Sequence, residues 1–420
     1  MQKQALLQRL WNTLFWNNDF RSLNDPSIPL SSKNIDTIFD NPYKNESGVV
    51  VNENTALTFA AVYRAVVLRS DTIAGMPLHV YENTKSGKQV AVNHPADFLL
   101  SREPNDNHTA FIYKQTSQGH QDLYGNSYSK IYFDSKGDPE LLEILDPSTV
   151  DVKKQNGRLY YIVKDKEGRI NETLTSDKVL HVPNFGFNGF VGKGIVQMAS
   201  ESMGSALAQQ KFGARFFKNN AQPSGILRSQ NATQEQAIDS KKAWKKANMG
   251  QNQGGTAVLR GDWEYKTITI PPDQAQFLQS REFSVVEVAR WFGVEPHLLF
   301  DLRKTSYNSI EQQSIEFAVY TVMGICKRWE QELDRKLFSL KDRKSNRFYT
   351  KFNINSLLRA DIKSRADWYR TMIQNGVMEI NEVRRLEDMN ATDYGDISFI
   401  QKNMQPLNKA EALADKELQG

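Results

Sequence analysis

The sequence predicts an α+β chain assembled from several parts, and three observations carry that reading. Between residues 126 and 183 hydrophobic and polar residues alternate with period two, the mark of half-buried strands. Further on, Ile315, Val319, Val322, Cys326, Trp329 and Leu333 recur at spacings of 4-3-4-3-4, and Leu337 adds a turn. That pattern is one apolar seam on a long helix. Between two helical segments, residues 221–269 form a small module, which the chain enters by one helix and leaves by another, so it protrudes from the body.

In chain order, residues 1–50 are polar and read as a flexible arm that docks on something, with Leu10, Trp11, Leu14 and Phe15 on a short amphipathic turn. Residues 55–74 read as a helix with Ala61, Val62, Ala65, Val66 and Ile73 on its apolar face, stopped by Gly75 and Pro77. An edge-like strand follows over residues 78–81. His94-Pro95 opens a short helix, and another spans 110–124. Strands are expected at 127–133, 141–145, 150–153, 158–163 and 179–182, with Asn156-Gly157 a hairpin signal. Residues 195–219 read as a helix rich in small residues. The protruding module holds a strand at 225–227, a helix bearing Lys241, Lys242, Trp244, Lys245 and Lys246, and a hairpin around Gly261-Asp262-Trp263.

A second helix ends in Trp291-Phe292-Gly293-Val294-Glu295-Pro296, and a polar loop follows with Asp301, Arg303, Lys304, Thr305, Ser306 and Tyr307. The long helix opens on a capping pair, Asn308 with Glu311. Some 30 residues at 1.5 Å each give roughly 45 Å, far beyond the average helix. A basic turn (Lys341, Arg343, Lys344, Arg347), a strand at 347–354 and a helix pair follow. The first of the pair stops at Gly376, the second is capped by Asn381, and residues past 395 read as a tail.

Lys plus Arg is 53 and Asp plus Glu 49, a net charge of +4, so no strong nucleic-acid grip is required by the totals. A surface past which DNA slides fits them. No apolar run approaches the ~20 residues of a membrane helix, and no signal-peptide pattern opens the chain. The single cysteine, Cys326, sits on the seam and reads as a buried small hydrophobe.

Residues 186–194 invite a phosphate-loop reading, but Phe187 stands where a glycine is needed and Gly194 where Ser or Thr should follow Lys193. A hinge into the next helix is the better reading. Ser127 and Lys130 match Ser-x-x-Lys on a strand, the wrong element for an acylating serine. The six histidines show no metal-ligand spacing, and no carboxylate pair suits acid–base work, so no cofactor or metal is expected. The Lys241–Lys246 run is either a solvated helix face or a docking surface for an acidic partner.

The order of parts resembles the portal proteins of tailed double-stranded-DNA bacteriophages, of the siphovirus type, over residues 50–390. The resemblance rests on the Ile73-Ala74-Gly75-Met76-Pro77-Leu78 ending, Leu123-Tyr124-Gly125-Asn126-Ser127-Tyr128, Leu145-Asp146-Pro147, and His181-Val182-Pro183. It continues with the stretch from Phe216 to Leu227, with Arg290-Trp291-Phe292-Gly293-Val294-Glu295-Pro296, and with residues 308–317. It implies a portal fold: arm 1–50, α+β wing 51–194, stem helix 195–220, clip 221–272, second stem helix 273–293, tunnel-loop region 294–307, spine helix and wing strand 308–356, helical crown 357–395 and tail 396–420.

It further implies a non-enzymatic virion protein, assembled in the host cytoplasm into a homo-oligomeric, dodecameric ring at one capsid vertex. Double-stranded DNA would pass through the channel past the tunnel loop. The clip would dock the terminase large subunit and later the head-completion adaptor, and major capsid and scaffolding proteins would surround the ring. The rival readings are a packaging ATPase or nuclease, and another ring-forming head–tail connector.

Overall fold

The computed structural model describes residues 45–85, 87–218, 225–247, 263–267, 274–301, 313, 315–354, 357, 362–387 and 389–399. The chain divides into two units, Met1–Phe352 and Asn353–Gly420.

The first unit opens with α1 (Glu53–Ala56) and α2 (Ala60–Gly75), then β1 (Leu78–Thr84), β2 (Gly87–Val90), α3 (Pro95–Ser101) and α4 (Ala110–Tyr124). The expected helix over 55–74 is therefore two. Asn52 and Thr55 form a reciprocal capping box, each side chain taking the other's backbone N–H at 2.8 Å, which closes a single turn before α2 begins. Nor is β1 an edge strand. It lies between β2 and β11 (Phe348–Phe352), pairing Leu78 with Phe352 and Tyr81 with Val90. Its polar outer half, Glu82-Asn83-Thr84, concealed that central position from the sequence.

The meander is β3 (Asn126–Phe133), β4 (Pro139–Leu145), β5 (Val150–Gln155), β6 (Arg158–Lys164), β7 (Ile170–Thr175) and β8 (Val179–Pro183). It makes two antiparallel sheets, ordered β4-β3-β8 and β5-β6-β7. Tyr128, Leu145, Val150, Tyr161, Val163, Leu174 and Val179 bury a common core between them. At about 1.5–3 kcal/mol per large apolar side chain, that core holds the sheets together. The sequence did not announce β7 because it buries a single residue, Leu174, so its alternation is faint.

A loop over 184–194 leads to α5 (Ile195–Met198) and α6 (Ser200–Lys218), two helices broken at Ala199 where one was expected. Then come β9 (Gly225–Arg228), α7 (Gln234–Ala247), β10 (Glu264–Thr267) and α8 (Gln274–Phe292). β9 pairs with β10, Gly225 opposite Thr267; Gly261 and Asp262 of the expected hairpin lie outside the described residues. Val62, Val196, Met203, Val288 and Phe292 join α2, α5, α6 and α8 in one apolar cluster.

The long helix is described from Ile315. A π-helical stretch, Phe317–Val322, runs into α9 (Met323–Leu337), and the capping pair at Asn308 and Glu311 lies outside the described residues. The expected seam holds from Val322 through Cys326, Trp329, Leu333 and Leu337, all buried. Upstream it fails: Val319 is 42% and Ile315 39% exposed, while Ala318 is 2% exposed. A π turn takes one more residue than an α turn, so the buried stripe slips by one position there.

After α10 (Leu340–Ser345), β11 lies along α9. Its outer edge is capped by two carboxylates four residues apart: Glu330 accepts from Phe352 N at 2.9 Å and Asp334 from Thr350 N at 2.6 Å. Four helical residues rise about 6 Å and two strand residues about 6.6 Å, so the acceptors match the donors and the edge is closed to other strands.

The second unit carries α11 (Ile362–Gln374) and α12 (Ile380–Leu386). Gly376 ends the first helix region at φ +67°. The cap of α12 is Glu379, boxed with Glu382, and not Asn381. Asn381 is buried and holds the following loop instead, bonding Thr392 N at 2.8 Å and Thr392 O at 3.0 Å.

Candidate functional site

The chain leaves α8 and returns at Ile315 through a frame that fixes both ends of the polar loop. Gly293 turns the backbone at φ +62°, a short 3-10 helix spans Pro296–Leu299, and Phe300 turns it again at φ +64°. The left-handed conformation costs a non-glycine residue about 1–2 kcal/mol. Arg64 offsets this: its guanidinium lies 4.8 Å from the Phe300 ring centroid, and its Nε donates to Leu298 O at 3.4 Å. On the return side the Thr321 hydroxyl donates to Gly293 O, tying the π stretch to the point of departure.

Beneath this junction lies a buried charge. Arg69 grips Asp122 through two bonds of 2.9 and 2.8 Å and donates a third to Phe292 O, the last carbonyl of α8. Gln118 donates to Asp122 at 3.1 Å and accepts from Trp329 Nε1 at 3.2 Å. One network thus joins α2, α4, α8 and α9. Burial pushes the Asp122 carboxyl up and the Arg69 guanidinium draws it back. Sequence reading missed these residues. The signal was a charge, Arg69, on the same stripe as Val62, Val66 and Ile73, where an unpaired ion is prohibitively costly.

Asp301 ends the described stretch, half-buried; Arg303, Lys304, Thr305, Ser306 and Tyr307 lie outside the described residues. On α7, Lys241 and Lys242 are exposed, Lys242 sits 3.6 Å from Asp239, and Trp244 is half-buried. The side chains of Lys245 and Lys246 lie outside the described residues.

The glycine loop is a packing strap. Gly192 N donates to Asn126 Oδ1 at 2.7 Å and Lys193 N to Phe185 O at 2.9 Å, so those N–H groups face the protein and not a phosphate. A Cβ on Gly192 would strike the backbone of Asn184 and Gly125, and one on Gly194 the backbone of Leu123. Lys130 pairs with Glu172 at 2.7 Å, and Ser127 is buried in β3. Among the described residues no group of three His, Cys, Asp or Glu could hold a metal ion, and no helix is long and apolar enough to cross a membrane.

His181 anchors the strap from below. Asn126 Oδ1 already accepts from Gly192, so it accepts from His181 Nε2 at 3.0 Å, which leaves Nδ1 to accept from Tyr161 OH at 3.1 Å. Burial pushes the imidazole down to about 3, and nearby Lys336 and Arg335 add to the effect. A base whose folded value is depressed gives stability that is present above its unfolded value of 6.5 and lost as pH falls from there towards 3. The expected loss is ~1 kcal/mol per pH unit over that window. Denaturant midpoints at pH 7 and 4.5 should show this slope, and His181→Gln should flatten it; an unchanged slope would remove His181 as its source.

Residues 60–388 match the family model described as phage portal protein. The chain belongs to the phage portal protein family. The portal protein of Enterobacteria phage HK97 is 32% identical over 364 residues, 85% of each chain. The probable portal protein of Streptomyces phage phiC31 is 32% identical over 387 residues, 88% of this chain and 82% of that one. The crystal structure of an HK97-family phage portal protein from Corynebacterium diphtheriae shares the fold, with a TM-score of 0.55 at 19% identity over 73% of this chain and 96% of that one. So does a chain in the neck of a native gene transfer agent particle computed with C12 symmetry, at a TM-score of 0.53 and 19% identity, covering 81% and 92%. The α+β fold expected from the sequence is that of this portal family.

Proposed function

We propose that this chain is the subunit of a ring-shaped portal at one capsid vertex, a conduit through which double-stranded DNA is packaged and later released. The observation that carries it is the match to the HK97 portal protein across 85% of both chains. The C12 symmetry of the neck holding a chain of the same fold supports a ring of twelve.

In this reading α6 and α8 are stem helices, the β9–α7–β10 module is the clip, α9 is the spine and α11 with α12 form the crown. The junction of Arg69, Phe292 and Thr321 acts as the mount of the tunnel loop. Asp301, Arg303, Lys304, Thr305, Ser306 and Tyr307 face DNA. The clip helix, with Lys241, Lys242, Trp244, Lys245 and Lys246, docks the terminase large subunit and then the head-completion adaptor, while capsid and scaffolding proteins surround the ring. The role is structural: a separate ATPase drives the DNA, and the strap at residues 186–194 uses its N–H groups internally.

Sedimentation velocity and end-on electron microscopy of the purified protein should show closed rings; a stable monomer that hydrolyses ATP would overturn the reading. Arg303→Ala with Lys304→Ala should leave rings intact and lower the DNA packaged or retained per particle. Loss of rings in that variant would show the loop to be architectural instead.

A further inference from the structure

The two stem helices carry unlike flanks. Trp291 Nε1 donates to Ser202 Oγ at 3.3 Å, which marks the sides on which α8 and α6 face each other. Val286, Ala289 and Gly293 follow spacings of three and four, roughly 150° around the helix from Trp291. With Phe317 and Tyr320 of the π stretch they wall an open groove of about 360 Å³. Tyr320 is 81% exposed there. The charged groups lining the groove are Arg290, Glu295 and Glu316, and Arg290 is already paired with Glu287 at 3.7 Å. The groove is therefore apolar in its walls and acidic in balance.

On α6 the stripe opposite Ser202 runs Gly204, Ala208, Lys211, Arg215, at spacings of 4-3-4. The chain covers its upper end itself: Asn45 and Ser47 lie against Gly204, and Glu46 N donates to Glu201 at 3.0 Å. The lower end is bare. Lys211 and Arg215 are exposed, one turn apart, with no hydrogen-bond or ion-pair partner among the described residues.

We propose that these two flanks meet at each joint of the ring: the Lys211–Arg215 stripe of one copy seats on the Glu295–Glu316 groove of the next. The inference rests on the ring reading above. A ring closes through a heterologous contact, which needs two different, complementary patches on separate flanks of one subunit. Here the patches lie on the outer flanks of one helix pair and are opposite in charge. The groove also offers apolar walls for the stems of a lysine and an arginine, whose heads reach the carboxylates.

The test is a charge exchange on the full-length chain, read by sedimentation velocity. Lys211→Glu with Arg215→Glu, and separately Glu295→Lys with Glu316→Lys, should each lose the ring peak and run as folded monomers with unchanged circular dichroism. Mixing the two monomeric variants should restore rings, because each mutated flank then faces its complement on the other variant. Rings persisting in either double variant, or monomers that fail to assemble on mixing, would overturn the pairing. A wild-type chain that never forms rings would overturn the ring reading itself.

Discussion

Arg69→Met is expected to destabilise the first unit by about 3–5 kcal/mol, because it leaves the Asp122 carboxylate buried beside one amide and no cation. The change also removes the donor from Phe292 O, so the end of α8 loses its attachment to α2. The side chains are similar in length, so the effect reports the charge and not a cavity. Asp122→Leu added to Arg69→Met should recover the larger part of the loss, since a neutral apolar pair carries no desolvation penalty. Gln118 and Phe292 then lack one partner each, so recovery stays incomplete. Denaturant midpoints at one fixed protein concentration, followed by tryptophan fluorescence, measure this; Trp329 sits on the same network. A single variant within 1 kcal/mol of wild type, or a double no better than the single, would show that the pair is not the clamp described.

Gly125→Ala is expected to be the most damaging single methyl in the wing, and Gly168→Ala is its control. Both glycines sit at φ +81°. At Gly168 nothing lies within 4 Å of a new Cβ, so the backbone conformation alone is felt, at about 1–2 kcal/mol. At Gly125 the methyl lands on the Lys193 carbonyl carbon and 2.5 Å from Gly194 N. Strap or helix end must then move, adding roughly 1–3 kcal/mol or more. The difference between the two midpoints isolates the steric part. Equal losses at the two positions would mean that the strap yields freely, and its role as a fixed lead into α5 would fall.

The parts legible in the sequence were those whose periodicity survives folding. Strands β3 to β6 and β8 alternate cleanly, and Val322 to Leu337 keep one helical stripe, so both regions fell within a residue or two of expectation. Cys326 was buried, as its seam position required. What stayed hidden depends on long-range partners. No local pattern says that Arg69 meets Asp122, or that Asn126 holds both His181 and Gly192, because these residues come together only when the sheet and helices pack. Asn381 misled for the opposite reason: a good capping residue by type, it is engaged by a loop eleven residues away. The polar loop was noticed early because two helices close on it, yet what fixes its position is a set of buried groups from α2, α4 and α9.

The π stretch at Phe317–Val322 has a consequence of a different kind. A helix converts sequence length into rotation, about 100° for each residue, as well as into 1.5 Å of advance. The extra residue in that turn sets the azimuth at which the polar loop is delivered, while α9 stays keyed into the core through Trp329 and Leu333. Small changes in chain length ahead of Val322 would therefore be read as a swing of the loop around the helix axis rather than as a change in its reach. In a body built from identical copies, that swing would recur at every copy, and a one-residue edit would redraw the whole inner rim.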